Sequence, residues 1–329
     1  MEAELLSAIA SLTGRDDVQL AQPVKRLSGG YSAELFVLRL ADARAELDGE
    51  FVLRIMHSDP EARREVAIQR TVSALGFPAP KVRLHGDSTA ALGRPFMIMD
   101  RVVGRNLLRA SGPRAFSRIP LVLAELMVRL HSLDSEPVVE CLAEADVLPS
   151  GSGSAAILRG LEATVPGLER ADLQWSLAWL LEREQSPSML AVCHCDLHAL
   201  NVLVNDGRVT GVVDWELATI DDPVLDVART SLILRALPSV SSRLVRKALS
   251  GLGQRAAERF VACCRAERHI DPERLQWHEA LHAVRLITMI LRSQRGLTSP
   301  SRVIDAWVPC VSVLEDRLRT LVGRTPEHS

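Results

Sequence analysis

The sequence predicts an α+β fold with two lobes: a first lobe built on an antiparallel sheet with one helix, and a second lobe that is mostly helical. Residues 20–102 alternate short apolar strands with turns, and one helical segment interrupts them. From residue 103 onward the pattern is mainly that of helices. A chain of 329 residues is long enough for two such lobes. We therefore predict lobes at 1–102 and 103–329.

The first lobe is predicted to begin with a short helix. Leu5, Leu6, Ile9 and Leu12 form one apolar face of this helix, and Gly14 ends it. The elements predicted after it are two strands around a glycine turn within 24–40, a strand at 51–55, a helix at 60–75, and strands at 81–85 and 95–100.

The second lobe contains seven predicted helices and one polar loop. The helices are predicted at 116–131, 172–183, 223–236, 240–249, 252–268, 272–295 and 301–322. The loop at 148–154 is rich in serine and glycine, which indicates a flexible segment. It could be a lid over a bound molecule or a plain connection, and the sequence favours neither.

Composition argues against a membrane or secreted protein. Apolar residues make up 47% of the chain and charged residues 24%, and no apolar run approaches the roughly 18 residues of a membrane helix. The N-terminus, Met1-Glu2-Ala3-Glu4, is acidic where a secretory signal would be basic. The six cysteines show neither a CxxC pair nor the spacing of a zinc finger. We interpret them as reduced thiols in a cytoplasmic protein.

The charge distribution does not indicate nucleic-acid binding. Residues 231–329 carry 16 Lys and Arg against 9 Asp and Glu, although the whole chain has a net charge of −2. A nucleic-acid surface would need a dense basic patch with interleaved aromatic residues. Here the arginines are spread at helical spacing, which is typical of solvated helix faces. We therefore expect neither nucleic acid nor membrane as a partner.

The segment 192–226 carries the most informative motif in the chain. It contains His194-x-Asp196-x-x-x-x-Asn201, and Asp214 follows at the end of an apolar run. The residues between Asn201 and Asp214 predict two short strands joined by an Asn-Asp-Gly turn. This hairpin should bring the polar residues at its two ends to one edge, close to Asp196. Such a set is what a kinase-type phosphoryl-transfer site needs, since one Asp orients the acceptor hydroxyl and the other two residues hold metal ions.

Three stretches of the chain together resemble a known family. Residues 194–201 read His-Cys-Asp-Leu-His-Ala-Leu-Asn, residues 213–216 read Val-Asp-Trp-Glu, and Asp222-Pro223 and Asp226 follow. These residues are similar to the pattern of the aminoglycoside phosphotransferase family, the protein-kinase-like small-molecule kinases that include macrolide phosphotransferases. Two positions depart from the family pattern, because Cys195 replaces the usual Gly and Ala199 the usual Pro.

The resemblance implies a bilobal protein-kinase-like fold and an ATP- or GTP-dependent phosphotransferase. Its acceptor would be a hydroxyl group of a small molecule, either an antibiotic such as an aminoglycoside or a macrolide, or a metabolite. Asp196 would be the catalytic base, and Asn201 and Asp214 would hold Mg²⁺. His194 would support the loop, and Asp226 would tie its backbone in place. These groups should converge on one cleft between the lobes.

The resemblance also places the nucleotide in the first lobe. The turn that would cover its phosphates consists of Ser28, Gly29, Gly30, Tyr31 and Ser32. Arg54 on a strand would pair with Glu65 on the following helix and position the phosphates, although the family more often has Lys at this strand position. The backbone near Asp100 and Val102 would bind the edge of the base. The alternative for Arg54 is that it points out of the strand and forms a local salt bridge.

Two other functional classes stay open at this stage. The departures at Arg54, Cys195 and Ala199 allow a kinase-like protein that binds nucleotide without transferring phosphate. His278-Glu279-x-x-His282 matches the helical motif of zinc metalloproteases, with Asp305 or Glu315 as the acidic candidates for a third ligand. For a kinase, the net basic tail favours a neutral, hydrophobic or anionic acceptor over a polycationic one.

Overall fold

The fold is that of a computed structural model, which describes residues 1–27, 33–41, 47–147, 153–238, 240, 242–298 and 302–323. The strands of this part of the chain are β1 (Gln19–Leu20), β2 (Lys25–Arg26), β3 (Glu34–Ala41), β4 (Glu50–Ile55), β5 (Val82–Gly86), β6 (Phe96–Asp100), β7 (Arg105–Asn106), β8 (Ala191–Cys193), β9 (Val202–Asn205), β10 (Arg208–Val212) and β11 (Thr219–Asp221). Its helices are α1 (Glu2–Thr13), α2 (Asp59–Ala74), α3 (Leu107–Ser111), α4 (Ala115–His131), α5 (Glu136–Glu144), α6 (Ser154–Thr164), α7 (Ala171–Glu182), α8 (Pro223–Ala236), α9 (Arg243–Glu267), α10 (Pro272–Gln294), α11 (Arg302–Trp307) and α12 (Val311–Val322).

The chain divides into two compact units. The sheet unit comprises Met1–Asn106, Glu136–Leu148 and Val202–Leu217, and the helical unit comprises Leu107–Ser135, Pro149–Asn201 and Ala218–Ser329. Each unit is therefore assembled from three separate stretches of sequence. The predicted boundary between residues 102 and 103 stays a prediction about functional lobes.

The sheet unit is built on a six-stranded antiparallel sheet. Its strand order is β1-β3-β4-β6-β5, and β2 also pairs with β3. The central strands β4 and β6 are almost entirely apolar and buried, as expected for strands covered on both faces. The predicted strands and the helix that follows β4 are confirmed, with ends that differ by one or two residues.

The two faces of this sheet pack against different residues, because successive side chains of a strand point to opposite sides. Leu53 and Ile98 belong to a cluster that includes Leu5 and Ile9 of α1. Met97, one residue before Ile98, belongs to a second cluster with residues of α2. Arg54 follows Leu53 and pairs with Met97 across β4 and β6. Its side chain is therefore directed to the face that α2 covers.

The helical unit surrounds two buried helices, α8 and α10. Most side chains of α8 from Pro223 to Ala236 are buried. Asp222 begins this helix by accepting the N–H of Val224 at 2.9 Å, and Pro223 occupies its first turn. Helix α10 contacts α6, α7, α8, α11 and α12, and α9 packs against α4 and α8. The predicted mostly helical second part is confirmed, and with it the α+β class.

Three predicted details of the helices are wrong. Helix α9 is one continuous helix, because Gly251 and Gly253 lie inside it and do not end the predicted helix at residue 249. The predicted helix 301–322 is divided by a 3₁₀ turn at Val308–Cys310, where Pro309 cannot donate the helical hydrogen bond. In α1 the buried residues are Leu5, Ala8 and Ile9. Leu12, predicted for the apolar face, is 45% exposed because it lies one turn past the contact with the sheet.

Among the helices of the described residues, none combines the length and the apolar character needed to cross a bilayer. Of the predicted loop 148–154, residues 148–152 lie outside the described part of the chain, and α6 begins at Ser154.

Candidate active site

The predicted hairpin after Asn201 is confirmed. Strands β9 and β10 pair antiparallel, with Val202 opposite Val212 and Asn205 opposite Arg208. The two residues between the strands, Asp206 and Gly207, have φ values of 47° and 80°. Two central residues with positive φ give the tight turn whose twist matches paired strands, and Asp-Gly is well suited to it.

The predicted catalytic loop is held by a buried carboxylate. Asp226, on α8, accepts the backbone N–H of His194 at 2.8 Å with one oxygen and that of Cys195 at 3.0 Å with the other. The first of these oxygens also lies 3.3 Å from Nε2 of His131. The predicted role of Asp226, tying the loop backbone in place, is confirmed. His194 supports the same loop, since its Nδ1 accepts the N–H of Asp196 at 3.3 Å.

The loop backbone explains why the family usually has glycine where this chain has Cys195. The residue has a φ of 59°, in the left-handed region that glycine enters without steric cost. A cysteine there costs on the order of 1–2 kcal/mol. Burial raises the pKa of the Cys195 thiol well above its ordinary value, so it stays protonated and unreactive.

Asp196 lies beside two basic side chains of the helical unit. One carboxylate oxygen is 3.2 Å from Nη2 of Arg229, and the other is 3.3 Å from Nε2 of His198. Burial alone would raise the pKa of Asp196, but His198, Arg229 and His194 outweigh it and hold that pKa well below its usual range. Asp196 is consequently ionised throughout the neutral pH range.

Asn201 is oriented by the same residue. Its amide Nδ2 donates to the backbone carbonyl of Asp196 at 3.0 Å and approaches the carboxylate of Asp196 at 3.4 Å. Because the nitrogen makes these contacts, the Oδ1 atom of Asn201 is directed away from them. The side chain belongs to a residue only 8% exposed, so its orientation is well defined by its surroundings.

In the sheet unit, Arg54 forms the centre of an ion-pair cluster. Its Nε lies 3.1 Å from Glu65, and its Nη2 lies 3.2 Å from Asp214 and 3.0 Å from Glu216. Arg64, next to Glu65, donates to the carbonyl of Glu216 at 3.0 Å. Arg54 is 5% exposed. The alternative in which it points outward and forms a local surface bridge is therefore wrong.

The guanidinium of Arg54 is the common ion-pair partner of three carboxylates. Burial, with the nearby charges of Asp214 and Glu216, raises the pKa of Glu65 to about 7 although Arg54 opposes the shift. Asp214 has a φ of 69°, a strained conformation for a residue other than glycine. Its side chain is 40% exposed, so one carboxylate oxygen remains accessible beside the one bound to Arg54.

The donors at the predicted metal positions suit Mg²⁺. Asn201 offers an amide oxygen and Asp214 a carboxylate oxygen, and oxygen atoms are the ligands that this ion prefers. Among the described residues, one group of three His, Cys, Asp or Glu side chains has its ligand atoms close together, namely His131, Cys193 and Asp226. Burial raises the pKa of the Cys193 thiol, and Asp226 is occupied by the loop backbone, so this group is a poor metal site.

Of the other predicted nucleotide-binding residues, the structure describes Asp100 and Val102. Ser28, Gly29, Gly30, Tyr31 and Ser32 lie outside the described residues. The N–H of Asp100 donates to Lys81 at 2.9 Å, and its carboxylate pairs with Arg83. This N–H is therefore already engaged. The side chain of Val102 covers Gly211, where a Cβ would approach it to 2.8 Å. Base binding by this segment stays a prediction.

The zinc-protease motif on α10 is structural. His278 contacts the carbonyl of Arg274 at 2.9 Å through Nδ1, and His282 contacts that of Leu225 at 3.0 Å through Nε2. Glu279 accepts the hydroxyl of Ser231 at 2.7 Å and forms an ion pair with Arg317. All three motif residues are buried. The spacing on α10 therefore reflects helix packing and not a metal centre.

Several site residues were not predicted from the sequence. Glu216 stands two residues after Asp214 in the quoted motif, and His198 stands two residues after Asp196, so the signal for both was present. Arg229 shares a face of α8 with Asp226, but an arginine three residues after an aspartate is too common to be informative. For Arg285, the only sequence signal was the excess of basic residues over 231–329.

Comparison with known proteins finds a matching family and several similar structures. Residues 23–261 match the profile of the family described as "Phosphotransferase enzyme family". A candidate aminoglycoside phosphotransferase from Ralstonia eutropha JMP134 is similar in structure, with a TM-score of 0.70, 17% identity and 97% of each chain covered.

Two further solved structures share this fold. One is a thermostable mutant of aminoglycoside phosphotransferase APH(4)-Ia in complex with AMP-PNP and hygromycin B, with a TM-score of 0.58, 18% identity and 97% of each chain covered. The other is a macrolide 2'-phosphotransferase type I, with a TM-score of 0.58, 17% identity and coverage of 95% of this chain and 96% of that one.

Curated relatives carry a different name. Acyl-CoA dehydrogenase family member 11 of Mus musculus is 26% identical over 65% of this chain and 28% of its own length, and the protein of that name from Rattus norvegicus is 25% identical over the same shares. The chain thus spans about a quarter of the length of the curated relatives it matches. The resemblance drawn from the motifs is confirmed by the profile, which covers most of the chain: this protein belongs to the phosphotransferase enzyme family, whose members act on hydroxyl groups.

Proposed function

We propose that the protein transfers the γ-phosphoryl group of ATP or GTP to a hydroxyl group of a small molecule, with Asp196 as the catalytic base. The observation that carries this proposal is the environment of Asp196. Its carboxylate is ionised, is contacted by Arg229 and His198, and follows a strained residue that Asp226 fixes. A carboxylate held in this way is positioned to accept a hydrogen bond from an acceptor hydroxyl.

The low pKa of Asp196 suggests when the proton moves. A weakly basic carboxylate does not remove the proton from a free alcohol, whose pKa is far higher. It orients the hydroxyl first and takes the proton late, as the bond to phosphorus forms and the oxygen becomes acidic. This order agrees with the loose transition state of phosphoryl transfer, in which positioning contributes most.

Arg54, Asp214 and Asn201 would handle the nucleotide. We propose that Asn201 Oδ1 and the accessible oxygen of Asp214 hold Mg²⁺, which when bound would offset charge on the phosphates. Arg54 would position the phosphates, and Glu65 would fix the guanidinium by the contact at 3.1 Å. Arginine can replace the usual lysine here because its fork contacts Glu65 and Asp214 at the same time.

The finer identity of the acceptor is part of the proposal. The APH(4)-Ia relative was solved with hygromycin B and AMP-PNP, which supports a nucleotide donor and a small-molecule acceptor. The sequence relatives are named for acyl-CoA dehydrogenases, which makes a hydroxyacyl-CoA a reasonable member of a test panel. Aminoglycosides, macrolides, amino alcohols and sugars complete the panel.

The test is consumption of Mg-ATP and Mg-GTP by the purified chain with each acceptor class. Asp196→Asn should lower acceptor-stimulated turnover by at least about a hundredfold, in the range found for general bases. Asp206→Asn is the matched control, since Asp206 lies exposed in the hairpin turn where asparagine is also accepted. Nucleotide binding without turnover by any acceptor would favour a binding protein that lacks transferase activity. Absence of nucleotide binding would overturn the proposal.

A further inference from the structure

Two arginines of the helical unit interact electrostatically with Asp196, and the proposed mechanism uses neither for the nucleotide. Arg229 of α8 contacts the carboxylate of Asp196 at 3.2 Å through Nη2 and is 7% exposed. Its Nε is buried and has no hydrogen-bond partner among the described residues. Its guanidinium carbon lies 5.3 Å from the centre of the Trp307 ring. Arg229 is therefore fixed in place with one donor unused.

Arg285 of α10 is the second cation. Burial, together with repulsion from Arg229, lowers its pKa to about 10, although the carboxylate of Asp196 opposes the shift. Within the described residues, no hydrogen bond or ion pair of the Arg285 side chain is found. The guanidinium of this half-buried residue therefore stays charged at neutral pH, with only partial compensation from Asp196.

The other groups near these arginines do not supply the missing negative charge. His282 lies one turn before Arg285, and burial together with the two arginines holds its pKa well below the ordinary value, so it is neutral. Its Nδ1 is also buried without a partner in the described part of the chain. Glu279, on the same helix, is paired with Arg317 and Ser231.

This arrangement leaves positive charge in excess around Asp196. The buried guanidinium of Arg229 contacts the one carboxylate of Asp196, and the half-buried Arg285 interacts with that carboxylate electrostatically. Two buried nitrogen atoms, Nε of Arg229 and Nδ1 of His282, lack hydrogen-bond partners in the described part of the chain. Buried charges and unpaired polar atoms cost folding free energy, so they are usually paired or serve a ligand. Because Arg229 already contacts the carboxylate that would orient the acceptor, a ligand that completes this cluster would lie beside the reacting hydroxyl.

We propose that Arg229 and Arg285 bind a carboxylate or phosphate group of the acceptor, so that the substrate is an anionic hydroxy compound and not a polycationic aminoglycoside. The proposal rests on the proposed function, since it assigns the acceptor of the site around Asp196. Guanidinium groups suit this role because they stay charged and bind both oxyanions in a bidentate manner. The free Nε of Arg229 and the unpaired Arg285 provide the donors.

The experiment compares matched acceptors that differ in charge. Glucose 6-phosphate is paired with glucose, and 3-hydroxydecanoate with its methyl ester. Binding of each compound to the full chain is measured by calorimetry, with and without saturating Mg-AMP-PNP. For at least one pair, the anionic member should bind about tenfold more tightly or better, as expected for a charge-assisted hydrogen bond. Binding of Mg-AMP-PNP alone tests the proposed function separately, because that binding does not depend on the acceptor.

Arg285→Gln should bring the anionic member of that pair close to its neutral counterpart and leave the neutral member and the nucleotide unchanged. Arg292→Gln, two turns further along α10, is the matched control and should preserve the preference. The melting temperature of Arg285→Gln should stay equal or rise, because removing a half-buried charge that has no hydrogen-bond or ion-pair partner in the described part of the chain does not destabilise the fold. A lower melting temperature would indicate a structural ion pair instead.

Two results would overturn the proposal while leaving the proposed function intact. One is equal binding of anionic and neutral members in both pairs, or a preference that Arg285→Gln does not change. The other is loss of anion binding when Mg-AMP-PNP is present, with weaker nucleotide binding in Arg285→Gln. That second result would assign the arginines to the nucleotide phosphates.

Discussion

The backbone N–H of Cys195 donates to the carboxylate of Asp226 at 3.0 Å, and Cys195 itself has a φ of 59°. The helix that carries Asp226 thus holds a strained peptide directly before Asp196. Positive φ in a residue other than glycine persists only where its surroundings impose it. The position of the proposed base therefore depends on a residue thirty positions further along the chain.

Asp226→Asn tests this dependence. An amide keeps one acceptor oxygen but presents an NH₂ group to a second backbone N–H, so one of the N–H groups of His194 and Cys195 loses its partner. We expect a loss of about 2–3 kcal/mol in the free energy of unfolding, measured by urea denaturation. Asp316→Asn serves as the control, because Asp316 is exposed and pairs with Arg319 at the surface. Its effect should stay within about 0.5 kcal/mol.

The strained backbone at Cys195 predicts an unusual ranking of substitutions by their effect on stability. Cys195→Val should lower stability by at least about 2 kcal/mol, because a β-branched side chain strongly disfavours positive φ. Cys195→Gly should be close to neutral, since relief of strain offsets the lost burial of the thiol. Cys193→Val is the control, because Cys193 is equally buried but lies in strand β8, which suits valine. Equal thermal denaturation of Cys195→Val and Cys193→Val would contradict the role of φ.

Arg54→Gln should be strongly destabilising. Glu65, Asp214 and Glu216 would lose the guanidinium that contacts all three. Only Glu65 is buried, and removing a partner from a buried ion pair typically costs about 3–5 kcal/mol, whereas the partly exposed Asp214 and Glu216 add little. Arg54→Lys should cost less, because an ammonium still compensates part of this charge. The comparison is made by thermal denaturation with Arg101→Gln, whose ion pair with Glu50 is about half exposed. If Arg54→Gln is no worse than Arg101→Gln, the cluster does not stabilise the sheet unit.

The raised pKa of Glu65 makes the free energy of unfolding depend on pH, and it sets the direction of that change. Its folded pKa of about 7 lies above the ordinary 4.5, so between these values the folded state binds more protons than the unfolded one. The stabilisation is complete below about pH 4.5 and is lost as the pH rises through 7. From pH 5 to pH 8 the wild type should lose about 2–3 kcal/mol relative to Glu65→Gln in urea denaturation. Parallel profiles would contradict this prediction, and Glu61→Gln, exposed on the same helix, controls for the substitution.

Much of the fold was predictable because its signals are local. The strands around Leu53 and Ile98 are apolar and bounded by turns, and the hairpin after Asn201 has an Asp-Gly turn, so each element could be recognised from a few neighbouring residues. The errors concern helix ends, where tertiary contacts decide. The sequence predicts a break between residues 249 and 252, at Gly251, yet α9 continues through this position, because it packs along its length against α4 and α8.

Only those site residues that belong to a recognisable sequence motif could be predicted. Asp196, Asn201 and Asp214 have fixed spacings, and Arg54 and Glu65 occupy positions that the resemblance names. Their convergence on one metal stays a prediction, since the first two belong to the helical unit and Asp214 to the sheet unit.

The cations around Asp196 come from helices whose sequences look ordinary. Arg285 interacts electrostatically with Asp196, although it lies 89 residues further along the chain. Neither spacing nor composition encodes an interaction of that kind, which depends on the packing of α10 against α8.

The continuity of α9 leads to a prediction from two glycines of the same helix. A Cβ on Gly253 would lie 2.9 Å from the carbonyl oxygen of Leu234 in α8, whereas a Cβ on Gly251 would have no atom within 4 Å. Gly251→Ala should therefore stabilise the protein by about 0.5–1 kcal/mol through helix propensity. Gly253→Ala gains the same propensity but forces the backbones of α8 and α9 apart, and it should lower stability by about 1–3 kcal/mol. Thermal denaturation of both variants checks the difference, and equal stabilisation by both would show that α8 and α9 do not approach as closely as described.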